Sequence, residues 1–311
     1  MEVSSHALEQ YRVEAVDFDM GVFTNLTQDH LDYHGNMESY FASKKKLFDL
    51  LDEDKGVFVN LDDAYGARLM AAGRVSYGFN ENAMIRAREI ELDGFGTQLL
   101  LESVEGLTEI KLPFIGRHNI YNALAAYSVA RSMGVEAEDI SQALSTMSST
   151  PGRLEPIRFG QPFNLYVDYA HTDDALRQVL GALNEITTGR LFVVFGCGGN
   201  RDKGKRNKMG EIAAAHADEI IITTDNPRNE NPAIIAEEVA EGCRHVRQGG
   251  FEIELDRARA IDEIIRRARE GDTVLIAGKG HETYQETGPI VQPFDDREKA
   301  CETLQALGFS G

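Results

Sequence analysis

Four short, almost continuously apolar segments constrain the fold more than any other feature of the sequence. They lie at residues 163–168, 190–195, 219–223 and 273–277. Strands that are apolar on both faces are typical of a parallel sheet covered by helices on both sides. Because segments suited to helices fill the gaps, the pattern predicts a doubly wound α/β domain.

The first half of the chain also alternates strands with helices, which favours a largely parallel sheet there as well. The predicted elements are a strand ending at 21–25, a helix at 37–52, a strand at 56–60, antiparallel strands within 84–115, and helices near 118–133 and 137–146. The polar segment 148–152 ends in a Pro-Gly turn signal and is the best linker in the chain. We therefore expect two domains, at 1–150 and 151–311.

Composition excludes several classes of partner. With 51 acidic residues against 32 Lys and Arg, the formal net charge of -19 disfavours nucleic acid and anionic lipid. No apolar run approaches the roughly 20 residues of a membrane span. The three cysteines, Cys197, Cys243 and Cys301, are widely spaced and odd in number, so free thiols in a reducing compartment are expected. The cytoplasm is the expected location.

Polar and glycine-rich residues follow each of the four apolar segments. Ligands of doubly wound sheets bind beyond the carboxyl ends of the strands. The segments in question are Asp168-Tyr169-Ala170-His171, Gly196-Cys197-Gly198-Gly199, Asp225-Asn226-Pro227-Arg228 and Gly278-Lys279-Gly280-His281-Glu282. We expect the binding site of this domain at these ends.

Lys44 falls within the apolar stripe of the predicted helix at 37–52, whereas Lys45 and Lys46 point away from the stripe and are expected in solvent. Burial disfavours the charged ammonium, and a neutral amine can react with carbon dioxide to give a carbamate, a carboxylate able to hold Mg²⁺. The alternative is a lysine that extends from the helix edge into water.

Residues 24–35 place two histidines and two acids just beyond a strand. Together with Glu2 they offer ligands for a divalent metal beside phosphate. An Asp-capped helix start with surface histidines is the alternative.

Residues 199–206 nearly match a P-loop, but Arg206 replaces the Ser or Thr that would hold Mg²⁺. The segment is therefore interpreted as an anion-binding turn at a helix N-terminus or as a basic surface loop.

Two residues at the strand ends suit the recognition of an amino acid. Arg228 precedes Asn231 and Pro232, a good start for a helix, so it would lie on a rigid turn and grip a carboxylate with two hydrogen bonds. Glu282 offers a carboxylate to an amine. The alternatives are a turn arginine in water and a helix N-terminal acid.

The order of these motifs resembles the Mur ligase family, and within it the members that add meso-diaminopimelate. The resemblance covers essentially the whole chain, and a series of motifs is far more specific than any one of them. It rests on residues 2–6, 24–35, 44, 116–122, 151–155, 168–172, 196–206, 225–228 and 278–282.

The resemblance implies an ATP-dependent, amide-forming ligase of peptidoglycan synthesis. ATP would phosphorylate the D-glutamate γ-carboxylate of UDP-N-acetylmuramoyl-L-Ala-D-Glu, and the amine of diaminopimelate would attack the acyl phosphate. The fold implied is the C-terminal part of the family's central, P-loop-type α/β domain, followed by a Rossmann-like C-terminal domain. A monomer that binds only small-molecule substrates is expected.

The resemblance also implies roles for individual residues. Lys44, carbamylated, and His30 would be catalytic, and Glu2, His30 and Lys44 would lie near Mg²⁺. The UDP-linked substrate would contact Ser4, Gln10 and Arg12. ATP would be faced by Asn119, Asn122, Arg153 and Asp168. Diaminopimelate would be bound by Arg201, Asp225, Asn226, Pro227, Arg228, Gly278 and Glu282.

The sequence departs from the family pattern in two respects. Family members carry an N-terminal uridine-binding domain and a P-loop, and the resemblance begins after both; we expect upstream sequence. Asp173 also stands where the family pattern has Pro. Three other interpretations remain: a non-catalytic diaminopimelate- or nucleotide-binding fragment, a related ligase such as folylpolyglutamate synthase, and a nicotinamide oxidoreductase. The Asp-Asn-Pro-Arg segment opposes the second, and the lack of a full Gly-x-Gly-x-x-Gly fingerprint opposes the third.

Overall fold

The computed structural model describes residues 1–27, 30–52, 54–94, 96–148 and 150–310, and for Leu31 and Asp32 the backbone only. The chain divides into two compact units. The first comprises residues 1–91, 96–113 and 117–147, and the second comprises 92–95, 114–116 and 148–311.

The first unit is a mixed sheet with helices packed on it. Its elements are α1 (Ser5–Glu9), β1 (Met20–Phe23), α2 (Leu31–His34), α3 (Met37–Asp49), β2 (Gly56–Asn60), α4 (Ala64–Ala67), β3 (Val75–Gly78), β4 (Ile85–Asp93), β5 (Gly96–Ser103), β6 (Gly106–Leu112), α5 (Arg117–Ser132) and α6 (Ala137–Ser145). The strand order is β1-β2-β3-β4-β5-β6. Strands β1 to β4 pair in parallel. The antiparallel prediction is confirmed for β5 and β6, whereas β4 pairs in parallel with β3.

Helix α3 forms because its apolar residues repeat with helical period, and it begins where the Asn36 side chain caps the Ser39 amide. Its aromatic residues Tyr40, Phe41 and Phe48 are buried against β1 and β2, as the predicted stripe requires.

The second unit is a doubly wound sheet with a small hairpin. Its elements are β7 (Glu155–Pro156), β8 (Asn164–Asp168), α7 (Asp173–Ile186), β9 (Leu191–Phe195), α8 (Gly204–His216), β10 (Glu219–Ile222), α9 (Pro232–Val246), β11 (Phe251–Ile253), α10 (Arg257–Arg267), β12 (Thr273–Ala277), β13 (Tyr284–Thr287), β14 (Ile290–Pro293) and α11 (Asp296–Ala306). The order is β11-β10-β9-β12-β8-β7, and β13 pairs with β14. The four predicted strands are confirmed within a residue at each end.

Both faces of the second sheet are buried, as the continuous apolar strands predict. Alternate residues of one strand enter different cores: Val193 and Phe195 pack with α7, α8 and α9, while Phe192 and Val194 pack with α10 and α11. Strands β8, β9, β10 and β12 are parallel, so their carboxyl ends share one edge. The segments after them therefore meet there.

None of the described helices has both the length and the apolar character that crossing a bilayer requires.

Candidate active site

Lys44 lies where α3 meets the start of the chain. Its side chain is half-buried, and its Nζ donates a hydrogen bond to the Val3 carbonyl oxygen at 3.2 Å. The amine is thus neither inside the apolar core nor fully in water. The structure brings Lys44 beside the segment that contains Glu2, whose side chain is exposed.

Glu9 holds α1 against α3. Its Oε1 accepts a hydrogen bond from the Ser43 hydroxyl and lies 2.8 Å from Lys46 Nζ. The hydrogen bond from Lys46 lowers the pKa of the Glu9 carboxyl. Lys46 is 42% exposed in its side chain, as predicted, and its ammonium also forms an ion pair across the junction of α1 and α3. Lys45 is exposed and pairs with Asp49 on its own helix.

A cluster of histidine and tyrosine rings lies between α1, α2 and α3. The His6 ring centre is 4.9 Å from that of His30 and 4.3 Å from that of Tyr33, and His34 stacks on Tyr40 at 5.0 Å. His34 also hydrogen-bonds the Ser5 hydroxyl at 2.9 Å. His30, by contrast, is exposed and has a left-handed backbone, with φ of 52°. The histidine-rich segment therefore packs on α1 as well as facing solvent.

The metal prediction depends on the carbamate. Among the described residues, no three or more His, Cys, Asp or Glu side chains are grouped closely enough to hold a metal ion. A lysine amine that is protonated has no lone pair to offer, so Glu2, His30 and Lys44 fit Mg²⁺ only with carbamate oxygens on Lys44. Gln28 and Asp29, which belong to the predicted ligand segment, lie outside the described residues.

The predicted contacts of the UDP-linked substrate differ in exposure. The Ser4 hydroxyl caps α1 by accepting a hydrogen bond from the Ala7 amide at 3.1 Å. Gln10 and Arg12 are exposed just after that helix. Two of the residues predicted to face ATP lie in the first turns of α5: Asn119 is half-buried and Asn122 is exposed.

Asp168, also predicted to face ATP, accepts hydrogen bonds from two backbone amides. It is 4% exposed, its Oδ2 accepts from the Leu154 amide at 2.7 Å, and its Oδ1 accepts from the Ala170 amide at 2.7 Å. Burial raises the pKa of this carboxyl. These bonds fix the turn that carries Arg153, whose exposed guanidinium lies 5.3 Å from the centre of the Tyr169 ring.

Two glycines let this turn approach the loop after β12. Gly152 and Gly280 both have positive φ, 71° and 53°. A Cβ on Gly152 would lie 2.5 Å from the Gly280 carbonyl carbon, a separation that backbone atoms do not tolerate. Side chains are therefore excluded at both positions.

A polar network joins the segments after β10 and β12. Asn226 donates from Nδ2 to Glu282 Oε2 at 2.9 Å and accepts at Oδ1 from Lys279 Nζ at 3.0 Å. Lys279 Nζ also lies 3.3 Å from Asp225 Oδ1. The structure thus brings together Asp225, Asn226 and Glu282, as the sequence predicts, and adds Lys279, which sequence reasoning did not select. The sequence did carry one signal for Lys279, namely its position between two glycines at the end of a predicted strand.

Arg228 is anchored at the edge of this network. Its backbone is left-handed, with φ of 50°, and its amide donates to the Glu286 carbonyl at 3.1 Å. In the side chain, Nη1 donates to the Gly199 carbonyl at 2.8 Å and Nε lies 3.1 Å from Glu286 Oε2. The rigid turn is therefore present, but one edge of the guanidinium already meets a carboxylate. Pro227, which precedes Arg228, is buried, and so is Gly278, the residue that follows β12.

Within the near-P-loop segment 199–206, residues 200–204 are exposed, and only Arg206 departs from both interpretations of the segment. Arg206 is completely buried and pairs with Glu230 at 3.0 Å and Glu238 at 2.7 Å, so its charge is already neutralised. Glu230 also accepts from the Asn200 amide and lies 3.2 Å from Lys203. Arg201 is exposed and forms no ion pair within the described part of the chain. It is therefore the guanidinium of this loop that is open to an anion.

Residues 1–130 match the family model described as the Mur ligase middle domain, and residues 152–280 match the one described as Mur ligase, glutamate ligase domain. The chain belongs to the Mur ligase family.

This Mur ligase chain is similar over nearly its whole length to proteins named UDP-N-acetylmuramoyl-L-alanyl-D-glutamate--2,6-diaminopimelate ligase. The relative from Syntrophomonas wolfei is 44% identical over 310 residues, which are 98% of this chain and 63% of that protein. The relative from Bacillus velezensis is 45% identical over 317 residues, which are 99% and 64%. The chain thus spans less than two thirds of the length of these relatives.

Solved structures agree with this assignment. A structure of a ligase with the same name matches the Mur ligase chain with a TM-score of 0.73 and 35% identity, covering 99% of this chain and 64% of that one. Folylpolyglutamate synthase of Mycobacterium tuberculosis, solved with ADP and AMPPCP, has a TM-score of 0.65 at 18% identity over 85% of this chain and 62% of that one. That likeness shows a shared fold alone.

Proposed function

We propose that this chain is the catalytic and amino-acid-binding part of an ATP-dependent ligase that adds meso-diaminopimelate to UDP-N-acetylmuramoyl-L-Ala-D-Glu. ATP phosphorylates the D-glutamate γ-carboxylate. The diaminopimelate amine then attacks the acyl carbon, a C–N bond forms, the C–O bond to phosphate breaks, and the amine loses a proton. The chain acts as a monomer in the cytoplasm, where ATP is available.

The observation that carries this proposal is the charge pattern at the carboxyl edge of the second sheet. An amino acid presents an ammonium and a carboxylate together. Asp225 and Glu282 offer carboxylates to the first, while Arg201 and Arg228 offer guanidinium groups to the second. Two cationic sites favour diaminopimelate over lysine, because only diaminopimelate has a carboxylate at each end.

A panel of amino acids tests this selectivity. ATP hydrolysis that depends on UDP-N-acetylmuramoyl-L-Ala-D-Glu is measured with meso-diaminopimelate and with L-lysine, using the 311-residue chain and any longer product of its reading frame. We expect the rate of ATP hydrolysis with diaminopimelate to exceed the rate with lysine by at least about tenfold. One additional charge-assisted hydrogen bond provides a selectivity of this size. Equal use of lysine would contradict the proposed specificity, and binding without turnover would support the non-catalytic fragment.

We also propose that Lys44 is carbamylated and that its carbamate supplies oxygen ligands to Mg²⁺ with Glu2 and His30. Lys44 and Lys45 form a matched pair, since they are adjacent on α3 but only Lys44 reaches the first residues of the chain. We expect Lys44→Gln to abolish ligation and Lys45→Gln to leave it unchanged. An electron-density map with a bare Lys44 amine in the metal-bound state would contradict the carbamate.

A further inference from the structure

Lys279 is completely buried at the carboxyl edge of the second sheet. A lysine is rarely buried unless polar groups compensate its charge. Here Nζ donates to the Tyr284 carbonyl at 2.7 Å and to Asn226 Oδ1 at 3.0 Å. It also lies 3.3 Å from Asp225 Oδ1 and 3.7 Å from Glu282 Oε2. Lys279 therefore contacts three of the residues that we assign to the amino-acid site but cannot itself reach a ligand.

The ammonium decides which way the Asn226 amide points. Lysine has donors only, so the Asn226 atom that faces it must be the oxygen. The same Oδ1 accepts from the Glu286 amide at 3.0 Å. The Nδ2 group is consequently directed at Glu282 Oε2, 2.9 Å away. No described side chain bonds the second Glu282 oxygen, Oε1, and the side chain is 21% exposed.

The ammonium also balances two carboxylates. Asp225 and Glu282 both face Lys279 Nζ, and without the cation their like charges would repel each other in a site with little access to water. Both must be ionised and held in place to receive a cationic group. A fixed internal cation behind them provides this arrangement without occupying the outward oxygen.

We propose that Lys279 is a positioning residue for the incoming amino acid. It orients Asn226 and holds the carboxylates of Asp225 and Glu282 in the arrangement that receives the substrate ammonium. This inference rests on the proposed function for the identity of the ligand, but the orientation of Asn226 is a property of the unliganded chain.

The first arm of the test needs no substrate. Hydrogen exchange of the Asn226 side-chain amide is followed by ¹⁵N NMR in the wild type and in Lys279→Met and Lys279→Gln, with the signal assigned by its loss in Asn226→Leu. Lys299→Met is the matched control, because Lys299 is a partly exposed lysine of the same unit that pairs with Glu302. We expect protection in the wild type and the control and its loss in both Lys279 variants. Unchanged protection in those variants overturns the proposal.

The second arm measures diaminopimelate binding by calorimetry. We expect Lys279→Gln to weaken binding about 10- to 100-fold, the range for charge-assisted hydrogen bonds. Because Lys279 acts partly through Glu282, the loss of binding in the double variant Lys279→Gln/Glu282→Gln should be smaller than the sum of the losses in the two single variants. Losses that simply add contradict the inference.

The two arms of the test distinguish a failure of the proposed function from a failure of the positioning role of Lys279. If the wild type binds no diaminopimelate although Asn226 loses protection in the variants, the proposed function fails and the positioning role stands. If neither Lys279 variant folds while Lys299→Met does, Lys279 is required for folding and the positioning role is rejected.

Discussion

The pair formed by Arg257 and Asp296 allows a prediction of stability to be worked out from geometry. Both side chains are 0% exposed, and two parallel hydrogen bonds of 2.7 Å join them, Nε to Oδ1 and Nη2 to Oδ2. Arg257 Nη2 also donates to the Ala277 carbonyl at 2.9 Å. The pair thus joins α10 and α11 behind the end of β12.

Replacing Asp296 with Asn preserves the shape of the side chain but removes its charge. The buried guanidinium then loses the carboxylate to which it is hydrogen-bonded, a change that costs about 3–5 kcal/mol. The double variant Arg257→Met/Asp296→Leu removes both charges and fills the space with apolar groups. We expect it to regain most of that loss, because a buried ion pair is often no more stable than a packed apolar pair.

The free energy of unfolding is measured by urea denaturation followed by circular dichroism, since the chain contains no tryptophan. Asp262→Asn is the control: Asp262 pairs with Arg266 one turn away, and both side chains are at least 40% exposed. The control should lose less than about 1 kcal/mol. A loss of similar size for Asp296→Asn, or a double variant as unstable as the single one, would refute the reasoning.

Three further predictions concern the second unit. Arg228→Ala should raise the KM for diaminopimelate about tenfold or more; an unchanged KM removes Arg228 from the site. Hydrogen bonds from Arg206 lower the pKa of Glu230 from 4.5 to about 2, so its stabilising effect is complete above the unfolded pKa and is lost as pH falls from about 4.5 to about 2. In Glu230→Gln, the free energy of unfolding measured with urea should fall less over this pH range than in the wild type. An equal fall in both proteins would contradict this role of Glu230. Burial raises the pKa of Cys197 to about 12 and of Cys243 to about 11, so a thiol reagent at pH 8 should label neither before unfolding; rapid native labelling would contradict this.

Much of the second unit could be predicted from sequence because its strands carry a local signal. Continuous apolar segments identify strands buried on both faces, and a parallel sheet brings their carboxyl ends to one edge. The grouping of Asp225, Asn226 and Glu282 follows from that topology alone. Asn231 and Pro232 begin α9 as expected, with the Asn231 side chain accepting from the Ala233 amide at 2.9 Å.

The partners of buried charges could not be predicted in the same way. Arg206 is paired with Glu238, 32 residues away, and Lys279 with Asn226, 53 residues away. Sequence spacing cannot show that such groups meet, so Arg206 resembled a surface cation and Lys279 a spacer between glycines. Asp168 is similar, because its bonds to the Leu154 and Ala170 amides depend on how the turn folds back.

The most direct test of the central claim is the transfer of radiolabelled meso-diaminopimelate to UDP-N-acetylmuramoyl-L-Ala-D-Glu. It is measured with and without ATP, with the 311-residue chain and with any longer product of its reading frame. The account predicts a labelled UDP-linked product that requires ATP and is lost in Lys44→Gln but not in Lys45→Gln. No labelled product under any of these conditions, from protein that is folded, would contradict the assignment as a diaminopimelate-adding ligase.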